Sequence, residues 1–365
     1  MSRLKKIIKK VLNLIFSTNA IYSKNNFNDL LKNNLFKLLD VGATGGMDEN
    51  WAEISDFCHY FTFDPDPRSK ILSNFAKHTN YNIGLWSKKD LISFNLAKYP
   101  QASSIYKFNN ENLSLFLNHE CHQTVKTIKI HVNSIDNVFN GEKVDFIKLD
   151  AEGADLEILK GAENTIVKTC LGIQIEVSFI NRHINAPYFS EIDDYLRKLG
   201  FSLFSIEPEK WIRKNNTFSI TTNPQLIWGN AIYLLSKEKL INVLSNLPKS
   251  EAETIYLKYI ISLLIYNFHD YAMEICETFN KLNILSDQIC INSKKIILNS
   301  LPKSFAYLLK LVFSIILFSS CLLLFFAFSK IRKSCLNYLK KSLINLSKSI
   351  LNVCRYGVNN SSITG

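Results

Sequence analysis

Three ionisable side chains stand at alternate positions near the middle of the chain: Lys148, Asp150 and Glu152. Residues 144–149 have the composition of a buried strand, so these side chains collect at its carboxyl end, before a glycine and a helical pattern. Charged side chains are rarely buried unless they are paired, and packing alone therefore does not explain the group. We interpret the strand end as a functional site; a solvated loop after the strand is the alternative.

A second candidate site lies where a predicted strand, residues 37–41, runs into Asp40-Val41-Gly42-Ala43-Thr44-Gly45-Gly46. Glycine permits the positive φ angles of tight turns and lets the backbone approach a ligand closely. Backbone N–H groups at the start of a helix suit an anionic group such as a carboxylate. The glycine spacing matches neither the dinucleotide fingerprint nor a P-loop. The segment predicts a binding turn, with a purely structural turn as the alternative.

The next predicted strand, residues 60–63, ends in Asp64 and Pro65. An acid at the end of the second strand of such a sheet can accept hydrogen bonds from both ribose hydroxyls of a nucleotide-like ligand. Aspartate is also a common turn residue, which is the alternative. At the end of the third predicted strand, Leu85 or Trp86 could stack on the adenine of such a ligand. A role in packing the protein interior is the alternative.

Further candidates follow Asp150 along the same predicted rim. Glu176 ends the strand 172–177, and two carboxylates on neighbouring strand ends could bind Mg²⁺, an alternative that we do not favour. His183 lies in the following loop as either a general base or a surface histidine.

The run His-Glu-Cys-His at 119–122 lacks a second cluster with which to hold zinc. No metal site is therefore predicted.

These candidates require an α/β domain at residues 37–236. Strand-like and helix-like segments alternate there, which predicts a mostly parallel sheet with its ligands beyond the carboxyl ends of the strands. The predicted strands are 37–41, 60–63, 81–85, 145–149, 172–177, 201–206 and 226–234, and the clearest helices are 155–167 and 190–199.

The rest of the chain has a different character. Residues 1–36 form a basic amphipathic segment, and residues 331–365 form a basic tail. The region between the α/β domain and the apolar segment, residues 237–304, is predicted to be helical, with helices at 237–247, 251–268 and 271–282. Residues 311–329, within a segment at 305–330, are all uncharged and long enough for a membrane helix. A buried helix is the alternative.

The net charge of +11 is concentrated at the two ends, which contain no acidic residue in positions 1–10 or 330–365. A nucleic-acid-binding domain usually carries its positive charge on the folded domain, which is near neutral in this chain. Basic ends beside apolar segments favour contact with membrane lipids. With 47% hydrophobic and 21% charged residues, the chain is not intrinsically disordered.

Residues 144–162 resemble the signature of the FkbM family of methyltransferases, D-F-I-K-x-D-x-E-G-x-E-x-x-x-L-x-G-A, with Asp155 in place of the usual Glu. Residues 39–46 resemble the family's D-V-G-A-N-x-G, with Thr44 for Asn, and motif I of S-adenosylmethionine-dependent methyltransferases. Phe63-Asp64-Pro65 is similar to its F-E-P. The similarity spans about residues 36–236 and also includes Ala102-Ser103-Ser104, 128–138, 173–177 and Gly200-Phe201.

This resemblance implies a Rossmann-like, doubly wound class I methyltransferase that uses S-adenosylmethionine, most often to methylate a hydroxyl oxygen on a sugar or related natural product. The implied cofactor-binding residues are Asp40, Gly42, Ala43, Thr44, Gly46, Asp64 and Pro65. Asp150 or Glu152 would take the hydroxyl proton or position the acceptor, Lys148 would hold the cluster electrostatically, and Glu176 would lie beside Asp150.

The apolar segment leads us to expect a membrane-associated enzyme whose acceptor is a glycan, a glycolipid or a lipid-linked intermediate. Because S-adenosylmethionine is cytosolic, residues 37–236 should face the cytosol. A catalytically degenerate scaffold with the same fold is the main alternative, although the intact acidic and glycine positions argue against it. Nucleic acid is not expected as a partner, since the chain has no N/D-P-P-[YFW] element.

Overall fold

The structure is a computed structural model. It describes residues 34–300, except 47–48, 72, 74, 76, 118 and 215–222, together with Leu31 and residues 340–342. One compact unit comprises Ile21–Thr217 and Thr222–Ile297, and the other comprises Met1–Ala20, Phe218–Thr221 and Leu298–Gly365. The segment 311–329, the basic tail and the first thirty residues lie outside the described residues, so the expectations for them stay predictions. Within the described part, no helix is long and apolar enough to cross a membrane.

The first of these units is built on a large sheet and a small one. In chain order the described strands are β1 (Phe36–Val41), β2 (Cys58–Phe63), β3 (Lys77–Tyr81), β4 (Gly84–Leu85), β5 (Asp90–Ala97), β6 (Thr124–Asn133), β7 (Phe146–Leu149), β8 (Gly172–Ser178), β9 (Phe201–Trp211) and β10 (Gln225–Leu235). The large sheet has the order β3-β2-β1-β7-β8-β10-β9. Only β10 runs antiparallel to its neighbours there, which confirms the predicted α/β fold with a mostly parallel sheet.

The small sheet, with the order β4-β6-β5, is a feature that the strand predictions missed. The expected strand 81–85 is divided: β3 ends at Tyr81 in the large sheet, and β4 pairs with β6 in the small one. A side chain at Gly84 would meet Val132 at 2.8 Å, so only glycine lets β4 approach β6 so closely. Strands β5 and β6 pair antiparallel from Asp90 to Ala97.

Helices connect the strands and then continue beyond β10. They are α1 (Asn110–Leu113), α2 (Ile135–Phe139), α3 (Asp155–Lys160), α4 (Glu163–Thr169), α5 (Phe189–Lys198), α6 (Lys237–Ser245), α7 (Lys249–Ile265), α8 (His269–Leu282) and α9 (Asp287–Ser300). The single helix predicted at 155–167 is two helices, because the chain turns at Gly161. A Cβ atom there would lie 2.2 Å from the Trp86 carbonyl oxygen.

Helix α7 shares a core with the large sheet. Every residue from Tyr256 to Ile265 is buried, as expected for a helix that is apolar all round. Lys258 Nζ donates to Asp145 Oδ2 at 2.7 Å and to the Leu35 carbonyl at 3.0 Å, which fixes α7 at the amino end of β7. Beyond the end of α7, the Tyr266 hydroxyl donates to Gln174 Oε1 at 2.7 Å, on β8.

Candidate active site

The Asp40–Gly46 turn leaves β1 at the carboxyl edge of the large sheet. Gly42 has a φ of +76°, and a Cβ atom there would lie 1.9 Å from the Asp150 carbonyl oxygen. A glycine is therefore needed at position 42 because the turn after β1 touches the backbone at Asp150. The sequence had suggested that the glycine lets the backbone approach a ligand. Gly45, with a φ of +105°, faces open space, with only the Gln101 side chain nearby.

Most backbone N–H groups of this turn have partners within the protein. Those of Gly42 and Ala43 donate to the Phe63 carbonyl at 2.9 and 3.4 Å, and that of Gly46 donates to the Ala43 carbonyl at 3.2 Å. Ala43 is fully buried. These groups were predicted to be available to a ligand carboxylate, but in the structure they stabilise the turn itself.

Asp40 lies buried beneath the turn and accepts two hydrogen bonds. Lys148 Nζ donates to its Oδ1 at 2.9 Å, and the Tyr60 hydroxyl donates to its Oδ2. Since Asp40 and Lys148 lie on the adjacent strands β1 and β7, the ion pair fixes the register of the two strand ends from which the site is built. Asp40 thus serves the architecture of the site.

Asp64 joins the ends of β1 and β2. Its Oδ2 accepts the Thr44 N–H at 3.0 Å and also the Thr44 hydroxyl, and its Oδ1 accepts the Asp66 N–H at 2.9 Å. Thr44, which stands where the FkbM pattern has Asn, therefore binds the acid directly. The carboxylate is largely buried, and Pro65 follows it at the surface of the turn. A carboxylate accepts about four hydrogen bonds, two at each oxygen, so Oδ1 keeps a lone pair.

Asp150 directly follows β7, and its carboxylate has no hydrogen bond or ion pair with another residue that the structure describes. Burial raises its pKa, while the nearby Lys148 ammonium group acts in the opposite direction. A carboxylate without a described partner at a strand end is available to a ligand.

Glu152 lies two residues further on, in a left-handed backbone conformation with a φ of +49°. Its Oε2 is buried and accepts no hydrogen bond from a described residue. The nearest nitrogen groups are the Arg182 guanidinium, with Nη1 at 3.3 Å, and the His183 ring, with Nε2 at 3.7 Å. Burial, reinforced by the Asp150 charge, raises the pKa of Glu152 to about 7 although Arg182 opposes the shift. The group can therefore exchange a proton near neutral pH.

Asp155 holds the turn between Asp150 and α3. Its two carboxylate oxygens accept the N–H groups of Ala151 and Gly153, each at 3.1 Å. Burial raises the pKa of Asp155 to about 6. The shorter Asp, in place of the family's Glu, thus stabilises the turn that presents Glu152.

Arg182 is the functional residue that sequence reasoning missed. It is 2% exposed and forms an ion pair with Glu176, while its Nε donates to Ser178 Oγ at 3.1 Å. Its guanidinium group also lies over the Trp228 ring, 5.5 Å from the centroid. Glu176 is therefore occupied by Arg182. No cluster of three or more His, Cys, Asp or Glu side chains suited to a metal ion is found in the described part of the chain.

His183 is 1% exposed, so the expectation of a surface histidine is wrong. Neither ring nitrogen has a hydrogen-bond partner among the described residues, and the same is true of the nearby Asn181 Oδ1. Burial, together with the Arg182 charge, lowers the pKa of His183 well below its usual value, so the ring is neutral. Unpartnered buried polar atoms are rare in folded proteins and often mark sites where a ligand or water binds.

The remaining candidates take structural roles. The His122 ring packs against Phe108 and Trp211, and His119 Nδ1 bonds to the Phe116 carbonyl, so the 119–122 run is part of the packing around α1. Leu85 is buried, and the Trp86 ring lies 6.0 Å from that of Tyr106.

Residues 40–203 match the family model described as the methyltransferase FkbM domain. Over that range the chain is similar to methyltransferase FkbM domains. This confirms the resemblance seen in the sequence, and the match includes the Asp40–Gly46 turn, Asp64, the Lys148–Asp155 segment and Arg182.

Two solved structures are similar to the chain, both at low identity. The FkbM methyltransferase of Methylobacillus flagellatus KT is 16% identical over 55% of this chain and 43% of that chain, with a TM-score of 0.31. The magnesium protoporphyrin IX methyltransferase of Synechocystis PCC 6803, solved with bound S-adenosylmethionine, is 9% identical over 63% of this chain and 79% of that chain, with a TM-score of 0.28. The chain thus spans less than half of the first structure. No curated protein matches it.

The carboxyl edge of the large sheet brings together most of the residues predicted from sequence. Asp40, Thr44 and Asp64 form one connected group with the glycine turn, and Glu152 and Glu176 are joined through Arg182. The Gly42–Asp150 backbone contact connects the two groups. The structure therefore defines one continuous candidate site.

Proposed function

We propose that the chain is an S-adenosylmethionine-dependent methyltransferase that methylates a hydroxyl oxygen of a sugar, a glycan, a glycolipid or a related natural product. The FkbM domain supports the reaction class. The observation that carries the proposal is the pair of carboxylates on one turn beside the glycine turn: Asp150 has no described partner, and Glu152 Oε2 accepts no hydrogen bond from a described residue.

The charges at the edge of the sheet fit this cofactor. S-adenosylmethionine carries a sulfonium, an ammonium and a carboxylate group, so it is a net cation, and the edge presents more carboxylates than cations. Asp150 is the carboxylate without a described partner for such a group, and Asp64 Oδ1 keeps a lone pair for a ribose hydroxyl. The open space at Gly45 leaves room beside the turn. Because the N–H groups of Gly42, Ala43, Thr44 and Gly46 are already paired, we propose that these side chains supply most of the recognition.

When bound, S-adenosylmethionine supplies a methyl group that its sulfonium charge has already activated. The protein must then align the acceptor oxygen and remove its proton. Glu152 Oε2 is suited to take that proton, since burial places its pKa near the pH of the cell. Arg182 orients Glu152 and balances its charge, and the neutral His183 ring offers a hydrogen bond to the acceptor or to Glu152. Asp150 orients the cationic group of the cofactor.

We also propose that the reaction takes place at a membrane, with the FkbM domain facing the cytosol. The uncharged segment 311–329 and the basic residues at both ends of the chain support this placement. A membrane location would bring the enzyme to a glycolipid or lipid-linked acceptor.

Calorimetric titration of S-adenosylmethionine and S-adenosylhomocysteine into the full chain tests the proposal. We expect micromolar binding that Asp64→Ala abolishes, whereas Asp270→Ala, at an exposed position on α8, leaves it unchanged. Binding would justify a screen of sugar acceptors that follows S-adenosylhomocysteine release. Absence of binding by the folded wild-type protein would overturn the proposal in favour of a catalytically degenerate scaffold.

A further inference from the structure

Two adjacent serines connect the small sheet to both parts of the candidate site. Ser103 and Ser104, called the serine pair below, follow a 3₁₀ helix at Pro100–Ala102, and both are buried. The Ser104 backbone exchanges two hydrogen bonds with Asn95 on β5, at 2.8 and 3.1 Å. The backbone of the serine pair is therefore fixed to the small sheet independently of the contacts that its hydroxyl groups make.

The Ser103 hydroxyl reaches the loop that follows β2. It donates to Asp66 Oδ2 at 2.8 Å and accepts the Ala97 N–H at 3.1 Å. Asp66 in turn donates its N–H to Asp64 Oδ1 at 2.9 Å and forms an ion pair with Arg68 at 2.7 Å. One residue therefore separates Ser103 from the acid that we propose binds the cofactor.

The Ser104 hydroxyl reaches the turn that follows β7. It donates to the Glu152 carbonyl at 2.7 Å and accepts the Tyr106 N–H at 3.0 Å. Glu152 has a left-handed backbone, which is unfavourable for a residue with a side chain, so the turn depends on bonds that hold it in place. This hydrogen bond fixes the peptide group of Glu152 itself.

We infer that the serine pair positions the cofactor-binding acid and the proton-accepting carboxylate relative to each other. Its two side chains are neighbours on one anchored segment, and each holds one part of the site. Methyl transfer needs donor and acceptor aligned to within fractions of an ångström, so the small sheet is part of the catalytic apparatus. The inference rests on the proposed function for the identity of the ligand and of the proton acceptor.

The test compares Ser103→Ala and Ser104→Ala in the full chain with Ser114→Ala, a control at an exposed serine whose hydroxyl donates to a local carbonyl. Two quantities are measured: the dissociation constant of S-adenosylhomocysteine, and amide hydrogen exchange in peptides covering 64–70 and 150–155. Thermal unfolding of each variant shows whether it is folded.

We expect Ser103→Ala to weaken S-adenosylhomocysteine binding about tenfold and to accelerate exchange at 64–70 only, because a hydrogen bond to a charged group is lost. Ser104→Ala should leave that affinity within about twofold and accelerate exchange at 150–155 only. Equal changes in both segments for both variants, or no difference from Ser114→Ala, would overturn the positioning role while leaving the proposed function intact. If the wild-type protein fails to bind S-adenosylhomocysteine, the proposed function fails and the catalytic role of the pair fails with it.

Discussion

Glu152 combines two unfavourable features in one residue, a left-handed backbone and a buried carboxyl group. The first is stabilised by Ser104 and by the turn around Asp155, and the second by the Arg182 charge. Neither arrangement improves packing, and both are typical of residues selected for chemistry. The same burial that makes Glu152 a proton acceptor also couples its ionisation to the stability of the fold.

The pH dependence of unfolding should report that coupling. Burial raises the pKa of Glu152 from 4.5 to about 7. The native state therefore keeps a proton that the unfolded chain releases above about pH 4.5. The contribution of this bound proton to the free energy of unfolding is complete below about pH 4.5 and is lost as the pH rises to about 7. We expect it to total about 3 kcal/mol, from 1.36 kcal/mol per pKa unit.

Urea unfolding of the wild type and of Glu152→Gln between pH 4 and 8 measures this contribution. In Glu152→Gln, the free energy of unfolding should no longer show the part of its fall with rising pH that Glu152 causes. Glu209→Gln, at an exposed position on β9, should follow the wild type. A decline of the same size in Glu152→Gln would contradict the assignment.

Arg182 should be one of the most sensitive positions for stability. Removing it leaves Glu176 and Glu152 buried without their cation, and breaking a buried ion pair in this way costs about 3–5 kcal/mol. We expect Arg182→Ala to lower the free energy of unfolding by that amount. Arg197→Ala breaks an exposed ion pair with Asp193 on α5 and should cost at most about 1 kcal/mol. Similar losses in the two variants, measured by urea unfolding, would contradict the role of Arg182.

Among the elements, the two turns that follow β1 and β7 depend on each other through Gly42. Alanine there would place its Cβ 1.9 Å from the Asp150 carbonyl oxygen, at a φ of +76°. Because both partners are backbone, neither can move aside without disrupting a turn. We expect Gly42→Ala to abolish cofactor binding and to lower the melting temperature sharply.

The control for that variant is Gly141→Ala. Gly141 also has a positive φ, of +88°, but no heavy atom lies within 4 Å of the Cβ position. It therefore isolates the cost of the left-handed backbone, about 1–2 kcal/mol. Differential scanning fluorimetry of both variants should show a much larger loss for Gly42→Ala. Equal losses would mean that φ alone accounts for the effect.

The elements also show what could be predicted from the sequence. The central strands β1, β2, β7 and β8 were predicted within a few residues because they are short apolar runs that end in acids and glycines. The small sheet was missed because β5 and β6 mix charged, polar and apolar residues, and many of their side chains are exposed. Their pairing depends on contacts that no local pattern reveals.

The same difference applies to the site. Asp40, Asp64, Asp150 and Glu152 were found because each lies at or just after the end of a recognisable strand, whereas Arg182 lies in an irregular loop whose composition is unremarkable. The sequence also could not show that Gly42 meets backbone and that most N–H groups of the turn have internal partners. Both depend on the distance between chain segments that are remote in sequence.

At the scale of the whole molecule, the helices after β10 are part of the core that supports the sheet. Lys258 pairs with Asp145, and Tyr266 contacts Gln174 and the Trp51 ring. A chain that ends at residue 236 would expose the apolar surface of the large sheet that these helices cover. It would also leave Asp145 without its ammonium partner. We expect it to lose cooperative unfolding, while a chain that ends at residue 300 keeps it. Near-ultraviolet circular dichroism during urea unfolding distinguishes the two, and a cooperative transition in the shorter chain would contradict this view.

Membrane association belongs to the same scale and is predicted from residues 311–329. We expect the full chain to float with phospholipid vesicles in a density gradient and to stay bound in 0.5 M NaCl, because apolar insertion is insensitive to salt. A chain that ends at residue 304 should lose this salt-resistant binding. Complete release of the full chain by salt would indicate that only the basic segments contact lipid.

The contact between Gly42 and the Asp150 carbonyl also bears on how such genes can recombine. The two residues come from distant parts of the chain, yet the position of one backbone determines which conformations the other can adopt. A crossover between related genes that falls between the codons for these turns would join halves that were optimised separately. Natural or engineered chimeras of this domain should therefore survive when both turns are inherited from the same parent.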